Sequence, residues 1–452
     1  MGEDEMKTIE FSNEIKWGAA TASYQIEGAA HEDGRSPSIW DTFSHTPGNV
    51  KNGDHGDDAC NSYHQYKEDV QHLKDLGVDM YRFSISWSRV MPEGKGALNP
   101  KGIAYYKNLI EELINHDIEP MITLYHWDLP QILQEQGGWE SRNTIDAFQE
   151  YAEAMFHEYG DLVKKWITIN EPWCASFLSN YLGIHAPGKT SLQAGVDVSH
   201  HLLLAHGKAV QSFRKMIPDG EIGYAPNMGW LEPFSDSRKD IDACRRGMMW
   251  QKEWFMDPVF KGSYPQELID IFEEQKAFLH LEEEDLDIIS QPIDFMGINY
   301  YTGGLGRHKD KEGLFQVEEI PLDNRRTDID WPIYADGFYK ALTDLSETYP
   351  DVPIYITENG ACYNHEVENG RVDDKERISY LQQHLTSLHR AIESGVPIKG
   401  YIVWSLLDNF EWAEGYEKRF GIIHIDFATF VRTRKESYYW YQNTIKNNSF
   451  SV

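Results

Sequence analysis

The sequence predicts one α/β domain over residues 1–452, a closed (β/α)8 TIM barrel with long insertions after several of its strands. Three observations lead there. Eight short strand-like runs alternate with helical patterns along the whole chain, the mark of parallel βαβ units. No Gly/Ser/Pro-rich linker, repeat or low-complexity tract breaks the series. In the second run, Arg82, Ser84 and Ser86 alternate with Tyr81, Phe83, Ile85 and Trp87, so polar groups face an axis while apolar ones face covering helices.

The strand-like runs are 17–24, 80–87, 119–126, 165–171, 221–227, 295–302, 353–358 and 398–407. Helical periodicity falls at 64–76, 101–116, 143–160, 200–216, 335–349 and 374–395. The first of these places Tyr66, Val70, Leu73 and Leu76 on one face, with charges opposite. Non-repetitive stretches at 25–60, 172–199, 228–265, 303–334 and 408–440 are expected to build a substrate mouth, with 303–334 as a long loop over it. Residues 1–10 read as a disordered start or an expression remnant.

Composition excludes several functions. The formal net charge of −31 repels nucleic acid and anionic membranes and weighs against a phosphorylated substrate. No run of about 18 apolar residues offers a membrane span, and the acidic start is no secretory signal, so the cytoplasm is the expected location. A homo-oligomer is left open. Cys60, Cys174, Cys244 and Cys362 lack metal-ligand spacing and are expected as free, packed thiols, with Cys174 and Cys362 near one mouth. His200, His201 and His206 lack the spacing of a helical zinc pair and are expected as buried helix residues; no metal or cofactor is called for.

The chemistry sits at two strand ends. Trp166-Ile167-Thr168-Ile169-Asn170-Glu171-Pro172 and Ile354-Tyr355-Ile356-Thr357-Glu358-Asn359-Gly360 each run from a buried strand into a glutamate and a chain breaker. Burying a lone carboxylate is costly, and paired carboxylates perform glycoside hydrolysis. Glu171 ends the fourth strand and Glu358 the seventh, where catalytic residues of such barrels lie. Backbones three strands apart stand ~14 Å from each other, so two inward glutamates leave roughly 5–6 Å, closer to a retaining than an inverting pair. Inward Arg82 can keep one carboxylate ionised, and Tyr301 can donate to it. Asn299 and Tyr301 share a face. Asn170 and Glu171 are adjacent and should diverge, so a bulge or twist is required to bring both to one site. Chemistry alone does not say which glutamate is nucleophile and which is acid.

These motifs resemble glycoside hydrolase family 1. Thr168-Ile169-Asn170-Glu171-Pro172 and Ile356-Thr357-Glu358-Asn359-Gly360 carry the resemblance, joined by Trp17 to Gly28, Tyr81-Arg82-Phe83-Ser84 and Leu124-Tyr125-His126-Trp127-Asp128. Gly297-Ile298-Asn299-Tyr300-Tyr301 and Trp404 to Trp412 complete it across nearly the whole chain. The resemblance implies Glu171 as acid/base and Glu358 as nucleophile. It implies a retaining β-glucosidase acting on small β-glucosides and cello-oligosaccharides, with β-galactosides and β-fucosides as further substrates. It implies Gln25, His126, Asn170 and Glu411 as hydroxyl partners and Trp404 as an apolar platform. Trp127, Asn299 and the Trp412 indole would line the sugar site, and Trp331 the aglycone mouth. Glu411 would repel a 6-phosphate, against the alternative of a 6-phospho-β-glucosidase. A non-catalytic sugar-binding barrel is a second alternative, against which both glutamates are present. A Schiff-base aldolase would need a strand-end lysine, which is lacking. Cys362 and the segment 428–433 depart from the family's usual pattern.

Overall fold

The structure is a computed structural model that describes residues 8–311, 313–323 and 325–452. Eight parallel strands close into a barrel in chain order. They are β1 (Lys16–Ala20), β2 (Met80–Ser84), β3 (Glu119–Tyr125) and β4 (Lys165–Asn170), then β5 (Glu221–Ala225), β6 (Phe295–Asn299), β7 (Ile354–Asn359) and β8 (Ile398–Trp404). Each expected run overlaps one of them, to within a residue at Lys16 and Asn359. The expected helices appear as Ser62–Leu76, Pro100–Asn115, Arg142–Tyr159, Leu192–Met216, Ala335–Thr348 and Lys375–Glu393. Val70, Leu73 and Leu76 of the first helix are buried, as its apolar face requires.

The barrel interior explains why the site lies at one end. Ala20, Met80, Met121, Ile167, Ala225, Phe295, Tyr355 and Ile402, one residue from each strand, form an apolar cluster separate from the main core. This plug fills the barrel below the site. One step along the same faces, Arg82 follows Met80 and Thr123 follows Met121, and Arg82 Nε donates to Thr123 Oγ1 at 3.1 Å. The inward parity of Arg82 thus follows the alternation of β2, whose Tyr81 and Phe83 join the outer core.

The insertions hold more regular structure than their sequences suggest. Within 228–265 lie helices Arg238–Gln251 and Glu253–Lys261. The first buries Asp240, Ala243, Cys244, Gly247 and Met248, a face of small and polar groups whose low hydrophobicity, not a lack of periodicity, hides it. The expected long loop 303–334 is in part a hairpin: Gly303–His308 pairs antiparallel with Val317–Ile320, and Trp230–Pro233 adds a third strand. The three glycines of its first strand and its exposed charges hide the alternation of a strand. Glu436–Asn447 forms a further helix beyond those the sequence predicts. Of the expected disordered start, residues 1–7 lie outside the described residues, while Thr8–Glu10 pairs with Ser449–Ser451. No described helix is long and apolar enough to cross a membrane.

Candidate active site

The conflict between Asn170 and Glu171 is resolved by the backbone. The register of β4 against β5 shifts between Ile167 and Asn170, and Glu171 takes a positive φ of 46°. Its N–H still donates to the Ala225 carbonyl at 2.7 Å, so the turn is anchored. Both side chains then reach Asn299 Nδ2, which donates to Asn170 Oδ1 at 3.0 Å and to Glu171 Oε1 at 2.7 Å. A matching irregularity in β7 against β6, between Ile356 and Glu358, turns the second glutamate inward. Gly360 then passes so close to Trp404 that an added Cβ would stand 1.8 Å from its carbonyl oxygen, which is why the segment needs glycine there. Asn359 locks the strand end by donating to the Tyr300 carbonyl at 2.7 Å and accepting from Tyr401 at 2.7 Å.

Glu358 lies in a fixed polar cage. Arg82 Nη1 donates to its Oε1 at 2.7 Å, and the Tyr301 hydroxyl donates to its Oε2. Arg82 itself is held by Asn170 Oδ1 at 2.7 Å and the Thr357 carbonyl at 3.1 Å. Thr357 Oγ1 in turn donates to Asn299 Oδ1 at 2.6 Å. Glu171 has a different setting: besides Asn299, the Cys174 thiol donates to its Oε2 at 3.0 Å.

These settings separate the two carboxyls. Burial, with the charge of Glu358 second, pushes Glu171 up to about 7. Burial raises Glu358 as well, but the Arg82 cation and the Tyr301 hydrogen bond oppose the rise. Glu171 is therefore the better proton holder and Glu358 the better anion. Burial, reinforced by Glu358 and Glu171, lifts Glu411 well above the usual carboxylate range. Burial and Arg82 drive His126 well below the usual histidine value, so it is neutral. Its Nε2 lies 3.1 Å from Asn170 Nδ2, a donor, so the proton sits on Nδ1.

Both glutamates open into one cavity of about 450 Å³. His126, Trp127, Asn299, Tyr301, Trp331, Trp404, Glu411 and Trp412 also line it. Trp331 packs on Tyr301 with ring centroids 5.6 Å apart. Arg82 and Asn170 lie just beneath the wall, bonded to groups that form it. Gln25 is fully buried behind it, its Nε2 donating to Asn409 Oδ1 at 3.0 Å and the Phe410 carbonyl at 2.9 Å. Gln25 Oε1, His126 Nδ1 and Glu411 Oε2 are buried polar atoms with no protein partner. Two acceptors and a donor left over beside tryptophan faces are what a pyranose needs.

Residues 7–450 match Glycosyl hydrolase family 1. This chain belongs to that family. Beta-glucosidase A of Acetivibrio thermocellus is 48% identical over 98% of this chain and 100% of its own length. A bifunctional beta-D-glucosidase/beta-D-fucosidase of Bifidobacterium breve is 40% identical over 98% and 99%. The family 1 β-glucosidase of Thermotoga maritima in complex with isofagomine lactam superposes with a TM-score of 0.94 at 45% identity, covering 98% of this chain and 100% of that one.

The family 1 barrel also brings in residues that the sequence did not flag. Trp173, Asn227, Trp230, Gln251 and Glu319 line the outer part of the cavity. Trp173 Nε1, Trp230 Nε1 and Asn227 Oδ1 there lack protein partners. They come from three separate insertions, so no spacing could have announced them. Cys174 lines the cavity, whereas Cys362 is fully buried in the inner apolar cluster. His200, His201 and His206 are buried along Leu192–Met216, held by Asp285 and Tyr264, by the Trp139 carbonyl and by Thr168 respectively.

Proposed function

We propose that this protein is a retaining β-glucosidase, one catalytic domain that releases non-reducing terminal β-D-glucosyl units from small β-glucosides and cello-oligosaccharides. The observation that carries the reading is the pair of carboxyls in one cavity with opposed environments: Glu171 raised by burial and its partner, Glu358 paired with Arg82 and Tyr301. Glu358 attacks the anomeric carbon as the glycosidic bond breaks, while the Glu171 proton passes to the leaving oxygen. The covalent ester removes the charge of Glu358, so the electrostatic push on Glu171 ends and the group it leaves is a base suited to activating water. Water then attacks the same carbon, the ester bond breaks, and Glu358 leaves as a carboxylate.

Asn170, fixed by Arg82, Asn299 and His126, is placed to bond the hydroxyl beside the reacting carbon. Gln25 Oε1, His126 Nδ1 and Glu411 Oε2 supply the remaining hydroxyl contacts, with Trp404 as the platform. The 6-phospho alternative finds no support: no Lys or Arg among the described residues lines the cavity to pair with a phosphate. β-Galactosides and β-fucosides are further substrates on this reading. Four buried, unpaired cysteines suit a reducing compartment, and the cytoplasm is the proposed location. The test is hydrolysis of 4-nitrophenyl β-D-glucoside with proton NMR of the first-formed sugar. β-Glucose is expected; α-glucose would overturn retention, and no turnover on any aryl β-glycoside would overturn the enzyme.

A further inference from the structure

The insertion after β1 carries a second constellation, away from the carboxylate pair. The Asp57 carboxylate is its meeting point: His45 Nε2 lies 3.1 Å from Oδ2, His31 Nε2 lies 3.6 Å from the same oxygen, and His55 Nδ1 lies 3.4 Å from Oδ1. One ligand atom from each of His45, His55 and Asp57 can be chosen so that all lie within 4.8 Å of one another. In a tetrahedral zinc site, bonds of 2.0–2.1 Å set neighbouring ligand atoms ~3.3 Å apart, close to these spacings.

Hydrogen bonding alone does not satisfy the group. His45 Nδ1 is 2.7 Å from the Asp41 carbonyl, which can only accept, so Nδ1 carries a proton. In the neutral ring Nε2 is then a bare lone pair, yet it faces a carboxylate oxygen, another acceptor. A cation must lie between them. A proton on His45 would serve that contact, but it leaves His55 Nδ1 and Asp57 Oδ1, both buried atoms without a hydrogen-bond partner. A metal ion serves all three groups. The carbonyl behind His45 is the outer support that metal-bound histidines use. The two imidazoles stack at 4.6 Å with an 18° tilt, so His55 must turn about Cβ–Cγ to present its lone pair, and no hydrogen bond at Nδ1 resists that.

We infer that His45, His55 and Asp57 form a site for a divalent transition-metal ion, zinc by ligand type, with water completing its coordination. The ion takes no part in glycoside hydrolysis. It ties down the loop that braces the cavity wall. The His55 carbonyl accepts from Tyr416 at 2.7 Å, and Gly56 N–H donates to Tyr24 at 3.2 Å. The Tyr24 ring lies nearly parallel to Trp412, at 9° and 6.2 Å. The net charge of −31 concentrates divalent cations around the chain.

The test uses the full chain, stripped with EDTA, dialysed, and titrated with zinc chloride by calorimetry and thermal melting. One zinc per chain and a raised Tm are expected, with cobalt(II) at the same site giving visible bands of tetrahedral intensity. His55→Gln and Asp57→Asn should each weaken zinc binding at least ~10-fold while leaving zinc-free hydrolysis of nitrophenyl glucoside unchanged. Absence of saturable one-to-one binding overturns the site. Undiminished affinity in both variants also overturns it, since the zinc would then sit on other surface groups.

Discussion

Replacing Arg82 with Met removes the cation bonded to Glu358 and keeps much of the buried volume. The guanidinium nitrogen and carboxylate oxygen are 2.7 Å apart, and both side chains are almost wholly buried. Charge centres ~4 Å apart at an effective dielectric constant of ~20 interact by about 4 kcal/mol, or ~3 pKa units. Glu358 must be ionised to attack, so the acid limb of kcat/KM should move to higher pH by up to ~3 units. One unit above the wild-type limb, the ionised fraction falls ~100-fold. Arg82 also holds Glu171 down, so the alkaline limb moves the same way, though less, Arg82 being the weakest of the influences named for that group. Arg82→Lys keeps the charge but loses the fork to Asn170 and Thr357; its limbs should move by less than ~1 unit while kcat drops. Initial rates on 4-nitrophenyl glucoside across pH, with circular dichroism to confirm folding, decide the matter. A Met variant whose acid limb stays in place, with activity reduced equally at every pH, would refute the assignment of Arg82 as the group that keeps Glu358 charged.

Glu358→Gly should abolish hydrolysis, and azide should restore turnover and give the α-glucosyl azide; a β-azide would reverse the assignment of the two glutamates. Glu411→Ala should damage glucosides and galactosides more than fucosides, which lack the C6 hydroxyl, and equal losses in kcat/KM would remove its sugar-binding role. Glu171→Gln probes linkage. The folded carboxyl near 7 lies above its ordinary value of 4.5, so stability is fully present below about 4.5 and is lost as pH rises through 7. The variant should therefore gain up to ~3 kcal/mol on the wild type between pH 4.5 and 8, read from denaturant unfolding at both ends; a constant difference would contradict the raised carboxyl.

The barrel was legible because alternation and strand–helix rhythm are local. Arg82 shows this best: its place between Tyr81 and Phe83 fixed its inward direction, and the structure puts it against Glu358. Asn170 and Glu171 show the opposite. Their adjacency predicted divergence, and only the positive φ at Glu171 and the register shift in β4 bring both to Asn299. Helix Arg238–Gln251 and the hairpin from Gly303 are not legible in the sequence because their small, glycine-rich or charged faces are only weakly hydrophobic.

By itself the sequence determined the eight strands, the two glutamates at their ends, and the aromatic and polar residues able to meet a sugar. Those properties depend on residue type and on spacing along the chain. The tertiary structure set the different surroundings of the two carboxyls. These depend on the distance to Arg82 and Tyr301 for Glu358, and on burial beside a like charge for Glu171. It also decided the outer cavity wall of Trp173, Asn227, Trp230 and Glu319, and the meeting of His45 and His55 at Asp57. Contacts between insertions arise from chain closure, and no local pattern encodes them.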